Sequence, residues 1–279
     1  MKILIKNDHP FHNELIETII HKYDYLLKIK KSDEDQIFIS LKDYSDFTFY
    51  NYIIGNYKNV SFTSNKSNYD KIIHLTIYPQ DLELVKTLDK DKNCFICHKV
   101  TSYYENFDNV FFLTPLALPF SNQERCIKMD VLPFQSKRKV NPNIPVFLVI
   151  GGLKRRNTEL LIDVLKDNQL PEFKIKILTR DEFPEILAPY KDKIIYRKDL
   201  NFLDFHRECL ECYSILTLIS KKFCSTYYYR RLTSSIAYAQ AYNFTCILDN
   251  ELQEIYQLDN CVTYSNNILS AFKKALNDF

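Results

Sequence analysis

Short apolar runs recur along the first half of the chain, and stretches of helical length separate them. HNELIETIIHKYDYLL (residues 12–27) repeats its apolar residues at the three- and four-residue spacing of a helix. The runs with the length and β-branched or aromatic content of buried strands are KILIK (2–6), QIFISL (36–41), KIIHLTIY (71–78), CFICHKV (94–100) and NVFFLTPL (109–116). This half therefore predicts alternating strands and helices.

The second half repeats the alternation more regularly. Its predicted strands are VFLVI (146–150), FKIKILT (173–179), KIIYR (193–197), SILTLIS (214–220), FTCIL (244–248) and CVTYS (261–265). Its predicted helices are NTELLIDVLKD (157–167), EFPEILAPY (182–190), LDFHRECLECY (203–213), TSSIAYAQAY (233–242), NELQEIYQ (250–257) and a last helix from Asn266. Buried strands alternating with helices predict a parallel sheet covered on both faces.

A change in composition separates the two halves. LPFQSKRKVNPNIP (132–145) carries three prolines and a basic cluster but few apolar residues, as linkers do. We predict an α/β protein with two doubly wound Rossmann-like domains, one over residues 1–135 and one over residues 146–279. Residues 136–145 are the predicted linker, and the last helix could pack back on the N-terminal domain.

Composition and charge narrow the class of protein. Of the 279 residues, 46% are hydrophobic and 26% are charged, as in ordinary globular proteins. The 37 basic and 35 acidic residues leave a net charge of +2, which argues against a protein that coats polyanions through its overall charge. No apolar run approaches the roughly 18 residues of a transmembrane helix.

The cellular compartment is predicted from three further features. The chain turns polar after KILIK (2–6), so we expect no signal peptide. Without an export signal, the eight cysteines are expected to be reduced thiols. Three glycines beside 20 tyrosines and 20 phenylalanines indicate the codon usage of an AT-rich genome. We expect a cytoplasmic protein, in the host cytoplasm if the genome is viral.

The first strand of the second half leads into a glycine pair and a basic cluster. Gly151 and Gly152 follow VFLVI, and Lys154, Arg155 and Arg156 precede the next helix. Ligands of open α/β sheets bind at the carboxyl ends of the strands, and glycine allows a close backbone approach. Positive charge at a helix N-terminus opposes the helix dipole unless an anion is bound there. The loop predicts a phosphate site; the alternative is a tight turn with a solvated basic helix start.

A second stretch has the same character. Arg230 and Arg231 precede Thr233, Ser234 and Ser235, which open an Ala-rich helix. Hydroxyls beside the free backbone N–H groups of a helix start form a common anion site in α/β proteins. The alternative is an ordinary Ser/Thr N-cap.

From residue 144 onward the chain resembles the donor-binding half of GT-B glycosyltransferases, in particular glycosyltransferase family 4. Ser234-Ser235, AYAQAYNFTCI (237–247) and DNELQEI (249–255) occupy the places of that family's Ser-Gly pair, Ala-rich helix with following strand, and acidic loop. The resemblance implies two Rossmann-like domains facing each other across a cleft that holds the active site. It implies transfer of a hexose or pentose from a nucleotide-diphosphate sugar, such as a UDP- or GDP-sugar, to a glycan or other glycoconjugate.

The resemblance also assigns roles to residues. Lys154, Arg155 and Arg156 would neutralise the diphosphate, and Thr233, Ser234 and Ser235, with Arg231 nearby, would bind its phosphates or ribose. Asp249 and Glu251 would lie near the sugar or ribose. No cofactor and no metal are expected, since no D-x-D motif follows an apolar strand; Asp33 and Asp35 fall in a charged loop. No nucleic-acid partner is expected, and peripheral membrane contact is compatible with the resemblance.

Candidate catalytic groups lie in the first half. The resemblance places a histidine at the end of an N-terminal strand facing the transferred sugar, and His98 closes CFICHKV. In NDHPFHNEL (7–15), Asp8 and His9 follow the first strand, where a base for the acceptor hydroxyl would stand. The alternatives are a structural histidine for His98 and an Asx-capped turn for Asp8.

Two cysteine motifs compete with this interpretation. Cys94, Cys97 and His98 match the C-x-x-C-H haem-attachment pattern, but they lie in a strand-like run of a chain without an export signal, so core packing is favoured. Cys209 and Cys212 form a second C-x-x-C, but they lie far beyond zinc-ribbon spacing from the first.

Two alternative functions remain. A non-catalytic nucleotide- or sugar-binding protein would keep the architecture, and two glutamates that family 4 enzymes commonly carry have no clear counterpart here. A nucleic-acid-binding protein could use Lys221, Lys222, Arg230 and Arg231 beside Tyr227–Tyr229, because aromatic rings among cations stack bases.

Overall fold

The computed structural model describes residues 1–9, 12–113, 123–130, 140 and 143–279. The chain folds into two compact units, Met1–Pro133 and Phe134–Phe279. Of the predicted linker over 136–145, residues 136–139, 141 and 142 lie outside the described residues. Residues 114–116 of the predicted strand 109–116 also lie outside them.

The N-terminal unit contains a parallel sheet of six strands. They are β1 (Lys2–Asn7), β2 (Gln36–Leu41), β3 (Val60–Phe62), β4 (Lys71–Ile77), β5 (Asn93–Cys97) and β6 (Val110–Phe112), in the order β3-β2-β1-β4-β5-β6. Its helices are α1 (Ile16–Leu27), α2 (Phe47–Asn56) and α3 (Leu82–Thr87). The short strand β3 and the helices α2 and α3 were not predicted from the sequence, because their apolar patterns are too short or too mixed to stand out.

The C-terminal unit repeats the same plan. Its strands are β7 (Val146–Ile150), β8 (Lys174–Thr179), β9 (Ile194–Lys198), β10 (Ser214–Leu216), β11 (Thr245–Asp249) and β12 (Cys261–Tyr264), in the order β12-β11-β10-β7-β8-β9. Its helices are α4 (Thr158–Lys166), α5 (Phe202–Leu210), α6 (Lys221–Cys224), α7 (Thr226–Tyr229), α8 (Ser234–Tyr242), α9 (Asn250–Tyr256) and α10 (Ile268–Asn277). The predicted fold class, two doubly wound α/β domains, is confirmed.

Strand order fixes where each unit can hold a ligand. In the N-terminal sheet β1 pairs with β2 on one side and β4 on the other, and in the C-terminal sheet β7 pairs with β8 and β10. The direction of winding reverses between β1 and β4 and between β7 and β10, and ligands of such sheets bind beyond the carboxyl ends of the strands at this reversal. The loop with Gly151 follows β7, and α8 is the first long helix after β10.

Aromatic packing holds α10 in the C-terminal unit. The ring centroid of Phe272 lies 4.3 Å from that of Phe147 on β7 and 4.9 Å from that of Phe173. Phe272 is fully buried in this core, and Ala271 and Ala275 of the same helix are buried there with it. The last helix therefore packs on its own unit.

Two predicted elements differ from the structure for local reasons. The predicted helix over 182–190 is a 3-10 helix, Glu185–Lys193, with Pro189 inside it and non-helical dihedrals at Tyr190. The predicted strand 214–220 ends at Leu216, because Leu218 adopts a left-handed conformation with φ of 50°. No helix in the described ranges is long and apolar enough to cross a membrane.

Candidate functional site

Gly151 ends β7 in a conformation that glycine adopts readily. Its φ is +90°, and its N–H donates to the carbonyl of Leu178 at 2.9 Å. A Cβ at this position would lie 3.4 Å from Nη2 of Arg156 and 3.6 Å from Oγ of Ser234. Glycine therefore permits the turn from β7 into the basic loop, and a side chain here would be in ordinary contact with Arg156 and Ser234.

The guanidinium of Arg156 lies inside the protein. Arg156 is 4% exposed, and its Nη2 donates to the carbonyl of Ile150 at 2.8 Å and to Oγ of Ser235 at 3.0 Å, with Oγ1 of Thr233 at 3.4 Å. These contacts join the loop after β7 to the N-terminus of α8. Nε and Nη1 of Arg156 are also buried, and neither makes a hydrogen bond to any described residue.

No negative charge compensates this buried cation in the part of the chain that the structure describes. Burial lowers the pKa of the Arg156 guanidinium; the Tyr227 side chain opposes that effect, and the positive charge of Arg155 adds to it. A buried charge is costly unless it is paired and hydrogen-bonded. Arg156 therefore offers unused N–H donors on Nε and Nη1 together with an uncompensated positive charge, and this combination is typical of an anion-binding site.

The start of α8 adds backbone donors to the same place. Thr233 is its N-cap, but the Thr233 side chain makes no capping hydrogen bond, and its hydroxyl lies against Arg156 instead. The first N–H groups of a helix have no partner within the helix, and they carry the positive end of its dipole. Thr233 and Ser235 are buried, and Ser234 is half-buried.

Lys154 and Arg155 lie at the solvent side of this site. Both are exposed on a 3-10 turn, Leu153–Arg155. The backbone N–H of Lys154 lies 3.4 Å from Oδ2 of Asp181, and Nη1 of Arg155 lies 3.5 Å from the hydroxyl of Tyr227. We call Gly151, Gly152, Arg155, Arg156 and the α8 residues Thr233–Ser235 the cationic site.

Arg231, Asp249 and Glu251 have other surroundings. The carbonyl of Arg231 lies 3.2 Å from the hydroxyl of Tyr256. Asp249 caps α9 by accepting from the N–H of Glu251 at 3.0 Å, and Glu251 forms an ion pair with Lys221. Burial raises the pKa of Asp249. No hydrogen bond or ion pair among the described residues joins these two carboxylates to Arg156.

His98 occupies a defined position at the end of β5. Its Nε2 lies 3.1 Å from the carbonyl of Leu75, and its ring stacks on that of His12 with centroids 3.6 Å apart. Because a carbonyl oxygen only accepts hydrogen bonds, the Nε2 atom that faces it carries a proton, which leaves Nδ1 as the other titratable ring nitrogen. His98 is buried.

Asp8 and His9 follow β1 at the winding reversal of the N-terminal sheet. Asp8 forms ion pairs with Lys6 at 2.6 Å and Lys66 at 3.0 Å. Partial burial would raise the pKa of Asp8, but the two lysines outweigh burial and lower it. The ring of His9 meets that of Tyr78 edge-on, with centroids 5.0 Å apart. Asp8 is therefore a weaker base than an ordinary carboxylate.

The cysteines of both motifs are packing residues with free thiols. Cys94 and Cys97 are buried in β5, and burial raises the pKa of the Cys97 thiol to about 12. Cys209 and Cys212 are buried at the end of α5. Among the described residues, no group of three or more His, Cys, Asp or Glu side chains has a metal-binding arrangement.

The aromatic segment 227–229 is mostly unavailable for stacking. Tyr227 is 5% exposed and Tyr228 is 2% exposed, so only Tyr229 presents its ring to solvent. Lys221 of the same basic cluster is engaged by Glu251. Of the three tyrosines that the nucleic-acid alternative invokes, one ring is therefore exposed, while Lys222 and Arg230 are exposed beside it.

Two residues at the cationic site were missed as candidates for it. Asp181 is the second residue after the end of β8, and its position beyond the carboxyl end of a strand is the sequence feature that points to the site. Tyr227 was considered only as a base-stacking residue, because nothing in the sequence spacing shows that its side chain reaches the loop after β7, 72 residues away.

Comparisons with known proteins agree with the fold. No family model matches the sequence, and a search of curated proteins finds no similar sequence. Solved structures are similar over the whole chain. One is AviGT4, a glycosyltransferase involved in avilamycin A biosynthesis, with 8% identity and a TM-score of 0.59 over 99% of this chain and 88% of that one.

Two further solved structures share the fold of this chain at low sequence identity. An alpha-glucosyltransferase in complex with UDP and a 13-mer DNA containing a HMU base has 10% identity and a TM-score of 0.59, over 100% of this chain and 89% of that one. The E. coli ADP-heptose lps heptosyltransferase II has 11% identity and a TM-score of 0.52, over 100% and 99% of the two chains. The chain therefore has the two-domain fold of GT-B glycosyltransferases.

Proposed function

We propose that this protein is a glycosyltransferase that moves a hexose or pentose from a nucleotide-diphosphate sugar to a hydroxyl of a glycan or glycoconjugate. The observation that carries the proposal is the buried guanidinium of Arg156 at the N-terminus of α8. Within the described ranges, its Nε and Nη1 make no hydrogen bond and no carboxylate is paired with it. A diphosphate would supply both the missing acceptors and the missing negative charge.

The other residues of the donor site have proposed roles that follow from their positions. Lys154 and Arg155 would add charge from the solvent side, and the hydroxyls of Thr233, Ser234 and Ser235 would contact phosphate or ribose oxygens. Arg231, Asp249 and Glu251 lie farther along the chain on the same carboxyl edge of the sheet. We assign them to the ribose or sugar, as the family 4 resemblance suggests, and family 4 membership is part of this proposal.

The donor class is supported by charge and by the similar structures. One of these holds UDP, and another is an ADP-heptose transferase. Two or three cations around one helix N-terminus suit a diphosphate better than a monophosphate. We therefore propose a UDP- or GDP-sugar donor, with no obligatory metal because Arg155, Arg156 and α8 would stabilise the departing diphosphate.

On the acceptor side we propose His98 as the principal proton-handling group. Nδ1 of His98 is the titratable ring nitrogen that would exchange the proton, and the contact to the Leu75 carbonyl fixes the ring. His9 is the second candidate base. Asp8 is the weakest of the three candidates, because Lys6 and Lys66 lower its pKa.

The same observation on Asp8 favours a second candidate function. A protein that binds a nucleotide sugar without transferring it would keep the cationic site and would not need a strong base. Such a protein would bind the donor through Arg156 as tightly as an enzyme would, and it would show no turnover.

The test combines binding and turnover. UDP-, GDP-, ADP- and CMP-sugars are titrated by calorimetry, and hydrolysis of the best donor is then followed without acceptor and with a panel of glycans. We expect a diphosphate donor to bind and to turn over, and Arg156→Met to abolish binding. Arg207→Ala, which removes an exposed arginine of α5, is the matched control and should bind as the wild type does. Binding without turnover supports the second candidate, and no binding by any nucleotide sugar contradicts both.

A further inference from the structure

Tyr227 lies between the two arginines of the cationic site. Its hydroxyl lies 3.5 Å from Nη1 of Arg155, and its ring centroid lies 5.9 Å from the guanidinium carbon of Arg156. Tyr227 is 5% exposed and Arg156 is 4% exposed, so their contact is shielded from water, whereas Arg155 reaches the Tyr227 hydroxyl from the solvent side. The hydroxyl oxygen accepts from Arg155, and the ring face is attractive to the cation of Arg156.

The two guanidinium groups repel each other before any anion is bound. Burial is the main cause that lowers the pKa of Arg156; Tyr227 raises this pKa, and the positive charge of Arg155 lowers it further. Arg156 is held inside the protein, so without a neutral group between them the exposed Arg155 side chain would move away into solvent, and bringing it back would cost affinity when the ligand binds. A rigid aromatic acceptor removes part of that cost.

Tyr227 is itself anchored to a different element. The hydroxyl of Tyr256 on α9 lies 3.3 Å from the carbonyl of Tyr227 and 3.2 Å from that of Arg231, and it can donate to either. Segment 227–231 is therefore fixed from α9. The neighbouring Tyr229 is 44% exposed and lies near Lys221 rather than near the arginines.

We propose that Tyr227 is a positioning residue that holds Arg155 and Arg156 ready for a diphosphate, the first through its hydroxyl and the second through its ring. The proposal rests on the proposed function for its ligand. It assigns Tyr227 no contact with the ligand itself.

The experiment is a double-mutant cycle read by UDP affinity. Tyr227→Phe keeps the ring and removes the acceptor, so we expect affinity to fall about three- to tenfold, the range of one hydrogen bond. In an Arg155→Ala background the same change should have a clearly smaller effect, because the contact between the hydroxyl and Arg155 is then already absent. Tyr227→Leu should weaken binding further in both backgrounds, because it also removes the ring under Arg156. Tyr229→Phe is the matched control and should leave affinity unchanged.

The outcomes separate the positioning role from a general structural one. If Tyr227→Phe weakens UDP binding equally with and without Arg155, the hydroxyl acts through something else and the proposal is wrong. If the wild type binds no nucleotide, the proposed function fails, and the positioning role is then read from the arginine Nε–Hε signals of the unliganded protein by NMR. Tyr227→Phe should increase the mobility of the Arg155 side chain, and unchanged mobility would overturn the proposal.

Discussion

Arg156 and Ser235, 79 residues apart in the sequence, are joined by a hydrogen bond of 3.0 Å from Nη2 to Oγ. Arg156 ends the loop after β7, and Ser235 lies in the first turn of α8. This bond brings the two separately predicted anion-binding stretches into one site. It also uses only one nitrogen of the guanidinium, which leaves Nε and Nη1 without a hydrogen bond to any described residue.

The first prediction concerns the effect of Arg156 on the free energy of unfolding and on anion binding. Arg156→Met removes three hydrogen-bond contacts, but it also removes an uncompensated buried charge, so the two effects oppose each other. We expect the free energy of unfolding to change by less than about 1 kcal/mol. Added pyrophosphate should stabilise the wild type and leave the variant unchanged, because only the wild type binds it.

Urea denaturation with and without pyrophosphate measures both effects. Arg207→Ala serves as the control for loss of an exposed arginine and should retain the pyrophosphate effect. If Arg156→Met loses several kcal/mol of unfolding free energy but is still stabilised by pyrophosphate, Arg156 has only a structural role and the anion-site assignment is wrong.

The second prediction concerns the glycine pair. Gly151 has φ of +90°, so alanine there should cost about 1–2 kcal/mol of unfolding free energy through backbone strain. Gly152 has φ of −64°, and a Cβ there would meet Oδ2 of Asp181 at an ordinary 3.5 Å. Gly152→Ala should therefore be nearly neutral. Equal losses in the two variants, measured by urea denaturation, would argue against a special role of the Gly151 conformation.

The sequence predicted the architecture well because both sheets are built from buried strands with continuous apolar runs. Strands β7 and β11 differ from their predicted bounds by one residue at most. Hydrophobic periodicity carries this information locally. It also marked the loop after β7 and the start of α8, because the scarcity of glycine made a glycine pair beside three cations conspicuous.

The side-chain partners within the site could not be predicted in the same way. The sequence does not distinguish the three consecutive basic residues Lys154, Arg155 and Arg156. In the structure only Arg156 is buried, because the 3-10 turn Leu153–Arg155 directs Lys154 and Arg155 to solvent. The ion pair of Asp8 with Lys66 depends on a residue 58 positions away in the chain. Such contacts arise from tertiary packing, which no local pattern encodes.

A third prediction concerns a buried lysine away from the cationic site. Lys176 on β8 is 2% exposed and forms ion pairs with Glu208 at 2.5 Å and Glu211 at 2.6 Å. Burial alone would lower the pKa of Lys176, but nearby Cys212 and the two glutamates raise it. Glu208 is 21% exposed and also binds Arg197, whereas Glu211 is 62% exposed.

Because solvent screens the exposed Glu211 more than Glu208, the two ion pairs should contribute unequally to the free energy of unfolding. We expect Glu208→Gln to lower the free energy of unfolding by about 2 kcal/mol, because it weakens the shielded pair of a buried cation. Glu211→Gln should cost at most about 1 kcal/mol, as for other exposed ion pairs. Urea denaturation of both variants at neutral pH and moderate salt is the measurement, and a larger loss in Glu211→Gln would contradict this ranking.

The last prediction concerns the pH dependence of stability. His206 on α5 is buried, its Nδ1 lies 2.6 Å from the hydroxyl of Tyr242, and burial lowers its pKa to about 3. The unfolded chain binds a proton at this histidine near pH 6.5, whereas the folded chain does not. Stability from this group is therefore complete above pH 6.5 and decreases as the pH falls from there toward 3.

Between pH 7 and pH 5 this histidine alone should lower the unfolding free energy by about 2 kcal/mol, since the slope approaches 1.36 kcal/mol per pH unit below pH 6.5. His206→Gln removes the titrating group, so its unfolding free energy should depend less on pH by that amount, whatever its stability at pH 7. Burial also lowers the pKa of His74, which adds a pH dependence of the same sign to both proteins. The difference between wild type and variant therefore isolates His206. His21→Gln, which removes an exposed imidazole on α1, is the control, and its unfolding free energy should depend on pH as that of the wild type does. If the unfolding free energy of His206→Gln falls as steeply with decreasing pH as that of the wild type, the buried ring accepts a proton in the folded state and the prediction is wrong.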